Sequence, residues 1–446
     1  MKKLLALLLA AVLVLSMAAC GSTPAPAADD KTPAAEAEAD TKEAEEAEPA
    51  EEEAEPAEEE TEPAEEAEEA EEEEAAEGAE VKVGFIFLHD ENSTYDKNFM
   101  DAAKAACEAQ GVEYIQKTGI PETNECYEAA CDLIDHGCNV IFADSFGHES
   151  FMLQAAKEYP EVQFCHATGT MAHTAGVANY HNAFASIYQG RFLAGVAAGM
   201  KINEMIEAGE FTEDEALMGY VGAYTYAEVI SGYTSFYLGA KSVCPTVKMQ
   251  VQFTGSWYDE TLEKEAAQTL LNNGCILISQ HADSMGAPTA CEEAGVPNVS
   301  YNGSTVSACP NTFIVSSRIN WEPYMEYMIE CVKKGEAIDT DWVGTLETGS
   351  VVLTEVNEQA AAAGTQDAID KLWAELNDGS VKVFDTANFT VDGKAVDSYM
   401  ADVDTDENYE GDTEVISDGY FHESEYRSAP YFDLQIDGIE LLNAAF

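Results

Sequence analysis

The chain has 446 residues, 46% of them hydrophobic, and sets 21 basic against 85 acidic residues for a formal net charge of -64. That field excludes nucleic-acid binding by phosphate neutralisation, and docking on anionic membrane surfaces with it. The 31 glycines and 9% aromatic residues are ordinary globular values, so acidity does not make the whole chain disordered.

The first twenty residues read as an export signal. Lys2 and Lys3 precede an apolar run from Leu4 to Leu15 that is too short to span a bilayer, and small residues lead to Cys20. The pattern resembles a bacterial lipoprotein signal, with Met17 where leucine is usual. The resemblance implies that Cys20 is lipidated and becomes the mature N-terminus. No other segment reaches the 18 or more apolar residues of a membrane helix, so the expected protein is anchored at the extracytoplasmic face and does not span. Residues 21–80 read as a tether, with 27 acidic residues and only Lys31 and Lys42 between positions 29 and 80. The units EPAEEEA from Glu48, EPAEEET from Glu55 and EPAEEAE from Glu62 recur every seven residues. Alanine is their only apolar side chain and proline interrupts them, which rules out a coiled coil and favours an extended, self-repelling spacer.

From Val81 the pattern alternates. Val81–Phe87 is an apolar strand, and Asp96–Gln110 is a helix with Phe99, Ala102, Ala103 and Ala106 on one face, stopped by Gly111. A strand over 113–116, a helix over 125–135, a strand over 139–143, a helix over 151–157 and a strand over 162–166 follow. A helix is expected from about Ala183 to Met200. The second half repeats the theme with strands at 218–223, 248–253, 275–280 and 298–301 and helices at 229–240, 259–272 and 288–294. Such alternation predicts an α/β protein of parallel sheets covered by helices on both faces, in two similar lobes.

Ligands of open parallel sheets bind beyond the carboxyl ends of the strands. Here those positions carry Ser145 and Phe146, Tyr224, Trp257, His281 with Asp283, and Asn302: rings to stack a flat solute and oxygens to hydrogen-bond it. Helix capping competes with ligand contact at each position, and for Asp259 the N-cap is the preferred reading. Asp144-Ser145-Phe146-Gly147 superficially resembles a nucleophile elbow, but Ala143 replaces the glycine of that turn, so an enzyme is not expected. No phosphate-binding or dinucleotide motif implies a cofactor. His166, His173 and His181, and Cys126, Cys131, His136 and Cys138, lack the spacing of a zinc site. The ten cysteines after Cys20 fall mostly in predicted helices and strands, and read as buried free thiols.

The blocks VKVGFIFLHDENSTYDKNF from Val81, QGRFLAGVAAG from Gln189, MGYVGAYTYAEV from Met218, GSWYDETLEKEAA from Gly255, ISQHADSMGAP from Ile278 and INWEPY from Ile319 together resemble the basic membrane protein family of solute-binding lipoproteins. The resemblance runs from Val81 to about Phe384. It implies the periplasmic-binding-protein type I fold, two Rossmann-like lobes joined by a hinge, with a purine nucleoside or nucleobase held between them and permease subunits of an ABC importer as partners. Thr94 and Tyr95 match a Trp-Thr-Tyr stretch of part of the family, Ser93 replacing its tryptophan, which puts Tyr95 among the expected ligand contacts. Type I connectivity places the first lobe at 81–178 and 301–336, and the second at 179–300 and 337–446, with residues 385–446 as an extension. Alternative readings are a sensory or adhesive surface lipoprotein of the same fold, or a metal-binding lipoprotein.

Overall fold

The computed structural model describes residues 80–403 and 412–445. The expected signal, the Cys20 anchor and the tether up to residue 79 lie outside the described residues.

The first lobe begins with β1 (Lys82–Ile86), α1 (Thr94–Gln110), β2 (Glu113–Lys117), α2 (Asn124–Asp135), β3 (Val140–Ala143), α3 (Glu149–Glu158), β4 (Gln163–Ala167), α4 (Ala172–Ala175) and β5 (Tyr180–Ala185). Next come α5 (Ile187–Glu207), β6 (Leu217–Gly222), α6 (Ala227–Val243), β7 (Lys248–Phe253), α7 (Glu260–Asn272), β8 (Leu277–His281), α8 (Gly286–Ala294), β9 (Asn298–Tyr301) and β10 (Phe313–Ile319). The chain continues with α9 (Glu322–Lys334), β11 (Asp341–Gly344), β12 (Val351–Leu353) and α10 (Thr365–Asn377). Short strands close it: β13 (Met400–Ala401), β14 (Thr413–Glu414), β15 (Ile416–Ser417), β16 (Tyr420–Phe421) and β17 (Ile439–Leu441).

One sheet has the order β11-β5-β4-β3-β1-β2 and is parallel throughout. The other runs β12-β10-β9-β8-β6-β7-β17, parallel except for β12 against β10. The central strands are buried along their length, as helices on both faces require. This is the α/β architecture of parallel sheets that the alternation predicted.

The expected lobe boundaries differ from the observed sheets. Residues 179–185 were expected in the second lobe and Ala183 at a helix start, yet β5 pairs with β4, Phe164 facing Tyr180, and the helix starts at Ile187. Tyr180–Ala185 is buried at every position, so no polar alternation marks it as a strand. The 301–336 stretch also divides: β10 pairs with β9 in the second sheet, while α9 packs on α1 in the first lobe. β11, expected in the second lobe, joins the first sheet beside β5.

The crossing of α5 and α6 explains Gly195 and Gly199 of QGRFLAGVAAG. A Cβ on Gly195 would collide with the Phe236 carbonyl oxygen, and one on Gly239 with that of Phe192, so the two backbones meet where only hydrogen fits. The C-terminal residues are less detached than their composition suggested. β17 pairs with β7, and Asn443 accepts from the Phe253 amide at 2.7 Å and donates back to its carbonyl at 2.9 Å. Phe384 and Phe432 stack at 4.2 Å, with Phe421 against both, forming a small aromatic core. Cys107, Cys126, Cys138, Cys165, Cys244, Cys275, Cys291, Cys309 and Cys331 are free and buried, and Cys131 is free and half-buried. Among the described residues no helix is long and apolar enough to cross a membrane.

Candidate ligand-binding cleft

The carboxyl ends of the two sheets face one another across a small cavity, where ligands of open parallel sheets bind. The lobes touch around it. The Thr94 amide of the first lobe donates to the Asp283 carbonyl oxygen at 3.0 Å, and the Phe146 ring stacks on Tyr226 of the second lobe at 5.1 Å between centroids.

Six of the expected site residues line this cavity: Tyr95, Ser145, Phe146, Trp257, His281 and Asp283. Tyr95 stands on the first turn of α1, which Ser93 caps by accepting from the Asp96 amide; its hydroxyl donates to the Asp144 carbonyl at 2.8 Å. Ser145 donates to the Glu122 carboxylate at 2.6 Å, which also accepts from the Gly147 amide and so fixes the loop that presents Phe146. Trp257 sits edge-on to Tyr224 at 5.0 Å, and its carbonyl accepts from the Asp283 amide at 3.0 Å, tying two strand-end loops together. Asp259 is the N-cap of α7, accepting from the amides of Thr261 and Leu262 at 3.0 and 2.9 Å.

Tyr224 and Asn302 are placed otherwise. Tyr224 is outside the lining, stacked on Tyr226 at 5.1 Å and edge-on to Trp257. Asn302 is buried outside the lining at φ 64, a left-handed conformation that asparagine tolerates in a tight turn, and its amide donates to Ser317.

The cavity also takes His89 and Thr168 from the strand ends, together with Leu88, Asp96 and Glu228, which were not among the expected contacts. Glu228 lies inside the MGYVGAYTYAEV block, and its place at the start of α6 was the available signal. Its carboxylate lies 3.3 Å from His281 Nε2. Burial pushes Glu228 up to about 7 against the opposing pull of Arg191. Burial likewise holds the Asp283 carboxyl well above the usual range, helped by Asp96, Glu263 and Glu228. Burial would raise Asp96 too, but bonds from His89 and Ser93 outweigh it and keep that carboxyl low. His281 is pushed well below its ordinary value by burial and by Arg191, so its ring is neutral. The Arg191 guanidinium lies 3.3 Å above the Tyr301 ring beneath this floor. The site therefore offers rings at its sides, one ionised carboxylate, and two carboxyls able to donate or accept.

The other candidate clusters serve the fold. His166 bonds the Ser145 carbonyl at 2.7 Å, and His181 bonds Gln163 at 2.9 Å. Among the described residues no group of three His, Cys, Asp or Glu side chains is placed to hold a metal.

Comparison with known proteins identifies the family. A purine-binding protein of Brucella abortus is 31% identical over 250 residues, covering 55% of this chain and 67% of its own. TsgA13 of Haloferax volcanii, named as an ABC transporter glucose-binding protein, is 28% identical over 314 residues, covering 67% and 75%. An ABC transporter solute-binding protein from Conexibacter woesei superposes with a TM-score of 0.56 at 20% identity, over 68% of this chain and 98% of its own. Another, from Aeropyrum pernix, gives 0.58 at 18% identity, over 68% and 93%. These neighbours share the type I periplasmic-binding-protein fold. The profile of the family described as ABC transporter substrate-binding protein, PnrA-like, matches residues 83–382. The chain belongs to this family of extracytoplasmic ABC-transporter solute-binding proteins, which are not enzymes.

Proposed function

We propose that the protein is a lipid-anchored receptor that delivers a small planar solute, a purine nucleoside or nucleobase, to an ABC permease. The observation that carries this reading is the cavity itself, whose lining combines the rings of Phe146 and Trp257 with Asp283, Glu228 and a neutral His281. Offset stacking favours a flat ring by about 0.5 to 1.5 kcal/mol per ring pair beyond burial. Carboxyls that both donate and accept suit the mixed edge of a purine. The kinship with the Brucella purine-binding protein supports the same choice. Delivery needs no chemistry from this subunit, only differential affinity of the solute for the closed arrangement of the lobes. Anchoring rests on Lys2, Lys3, the apolar run and Cys20, with residues 21–80 as the spacer.

The test is thermal unfolding against adenosine, guanosine, inosine, their bases, and D-glucose. A purine at about a hundred times its dissociation constant should stabilise by roughly 2.7 kcal/mol. Trp257→Ala should remove most of that shift and leave the ligand-free transition nearly in place. A shift with glucose and none with purines would transfer the assignment to the sugar named for the Haloferax relative.

A further inference from the structure

The chain after Phe384 lies beyond the residues that match the family profile, 83–382, and one cluster of its side chains takes no part in the ligand cavity. β15 and β16 form a hairpin in which Ser417 pairs with Tyr420 across the turn Asp418-Gly419. Both turn residues have positive φ, 50 and 84, the conformation whose twist matches that of two strands joined so tightly. Immediately beyond β16 the chain brings His422 and Glu425 back to Ser417.

The three side chains stand in series. Ser417 Oγ lies 2.7 Å from His422 Nε2, and His422 Nδ1 lies 2.7 Å from Glu425 Oε2. An ionised carboxylate can only accept, so Nδ1 carries the ring proton and Nε2 is left to accept from the serine hydroxyl. Tyr420 orients both partners: its hydroxyl donates to the other Glu425 oxygen at 3.3 Å, and its ring lies 3.8 Å from the imidazole between centroids. His422 is nearly buried, whereas Ser417 is exposed, so the hydroxyl is open to a reagent while the ring beside it is shielded. The Ser417 carbonyl oxygen, 3.2 Å from Nε2, is ready to accept a proton placed on that nitrogen. The amides of Asp418 and Gly419 donate no hydrogen bond among the described residues, and the amide that follows a nucleophilic serine is a common donor to a developing oxyanion.

We infer that Ser417 is a covalent acyl-acceptor site, with His422 as its base and Glu425 as the positioning residue, the serine-histidine-carboxylate order of hydrogen bonds that activates a hydroxyl. The donor class is an activated ester with an uncharged or cationic acyl group, because Asp418 and Glu425 beside the serine repel an anion. Ser417 Oγ attacks the ester carbonyl carbon as its proton passes to His422 Nε2. The new Oγ–C bond stays, the bond from that carbon to the leaving oxygen breaks, and His422 returns the proton to the departing alcohol. The products are a serine ester on this chain and a free alcohol. The site is independent of solute delivery, since none of the three residues lines the ligand cavity.

The test treats the full-length protein with p-nitrophenyl acetate and maps the acetyl group by mass spectrometry of its peptides, in the wild type and in Ser417→Ala, His422→Gln, Glu425→Gln and Glu425→Asp. Wild type should be acetylated at Ser417 ahead of every other serine. Ser417→Ala should lose that label and keep its melting temperature, since the hydroxyl is exposed. His422→Gln should slow labelling by about a hundredfold or more, as removal of a general base does. Glu425→Gln should slow it by about tenfold or more, and Glu425→Asp should recover part of the loss. Nitrogen-15 spectra should show the His422 proton on Nδ1 in the wild type and on Nε2 in Glu425→Gln, a change that a merely supporting contact would not produce. Labelling of Ser417 at the same rate in wild type and His422→Gln overturns the inference, as does acetylation confined to lysines. If His422→Gln does not fold, the wild-type spectrum decides, and a proton on Nε2 overturns it.

Discussion

Replacing Glu228 by glutamine should alter the pH dependence of stability in a defined direction. In the folded protein burial pushes this carboxyl up to about 7, whereas an unfolded glutamate titrates near 4.3. The native state therefore holds its proton over a range where the unfolded chain has released it. No penalty exists below pH 4. It grows as pH rises through the unfolded value and is complete above 7. At about 1.36 kcal/mol per pH unit, the full destabilisation at pH 8 is on the order of 3 kcal/mol. Glu228→Gln cannot ionise and keeps an oxygen for the His281 contact. Urea unfolding at pH 5 and pH 8 should show the wild type losing about 2 to 3 kcal/mol more than the variant over this interval. Glu263 and Glu423, also raised to about 7 by burial, remain in the variant and leave it a smaller slope of the same sign. Identical slopes in the two proteins would refute the view that Glu228 is protonated within the closed cleft.

Three further outcomes follow from local geometry. Gly239→Val should cost about 3 kcal/mol or more, read as a drop in melting temperature, because its Cβ meets the Phe192 backbone, which cannot move aside. Asp259→Ala should cost about 1 kcal/mol by freeing the amides of Thr261 and Leu262, with ligand affinity nearly unchanged since Asp259 is outside the cavity lining. Cys20→Ala should move the protein from the membrane to the soluble fraction with ligand binding intact; retention at the membrane would contradict the lipid anchor.

Much of the fold and part of the site were legible in the primary structure, for identifiable reasons. Most strand and helix positions through Tyr301, β5 and α4 excepted, follow from apolar periodicity, and glycine stops such as Gly111 lie where the left-handed C-cap needs them. The Asp259 cap could be read because its hydrogen bonds are local. Tyr95, Ser145, Phe146, Trp257, His281 and Asp283 stood out as polar and aromatic residues just past strand or motif boundaries, and all reach the cavity. The membership of β5, β10 and β11 in their sheets could not be read this way, because pairing depends on partners distant in the chain and a fully buried strand has no polar face.

Composition determined the acidic character, apolar periodicity the α/β alternation, and the sequence blocks the family, because each can be read without knowing which distant residues meet. Only the tertiary structure decided which side chains meet. It left Tyr224 and Asn302 outside the lining, and brought Asp96, Thr168 and Glu228 together from three separate parts of the chain. It raised Glu228 through burial that no sequence neighbour announces. It also carried a C-terminal segment of unremarkable composition to the flank of the cleft, because Ile439 found the free edge of β7 and Ser428 the Asp341 carboxylate. Those are contacts between residues some 90 to 190 positions apart, so their energy depends on the closed chain and leaves no local trace.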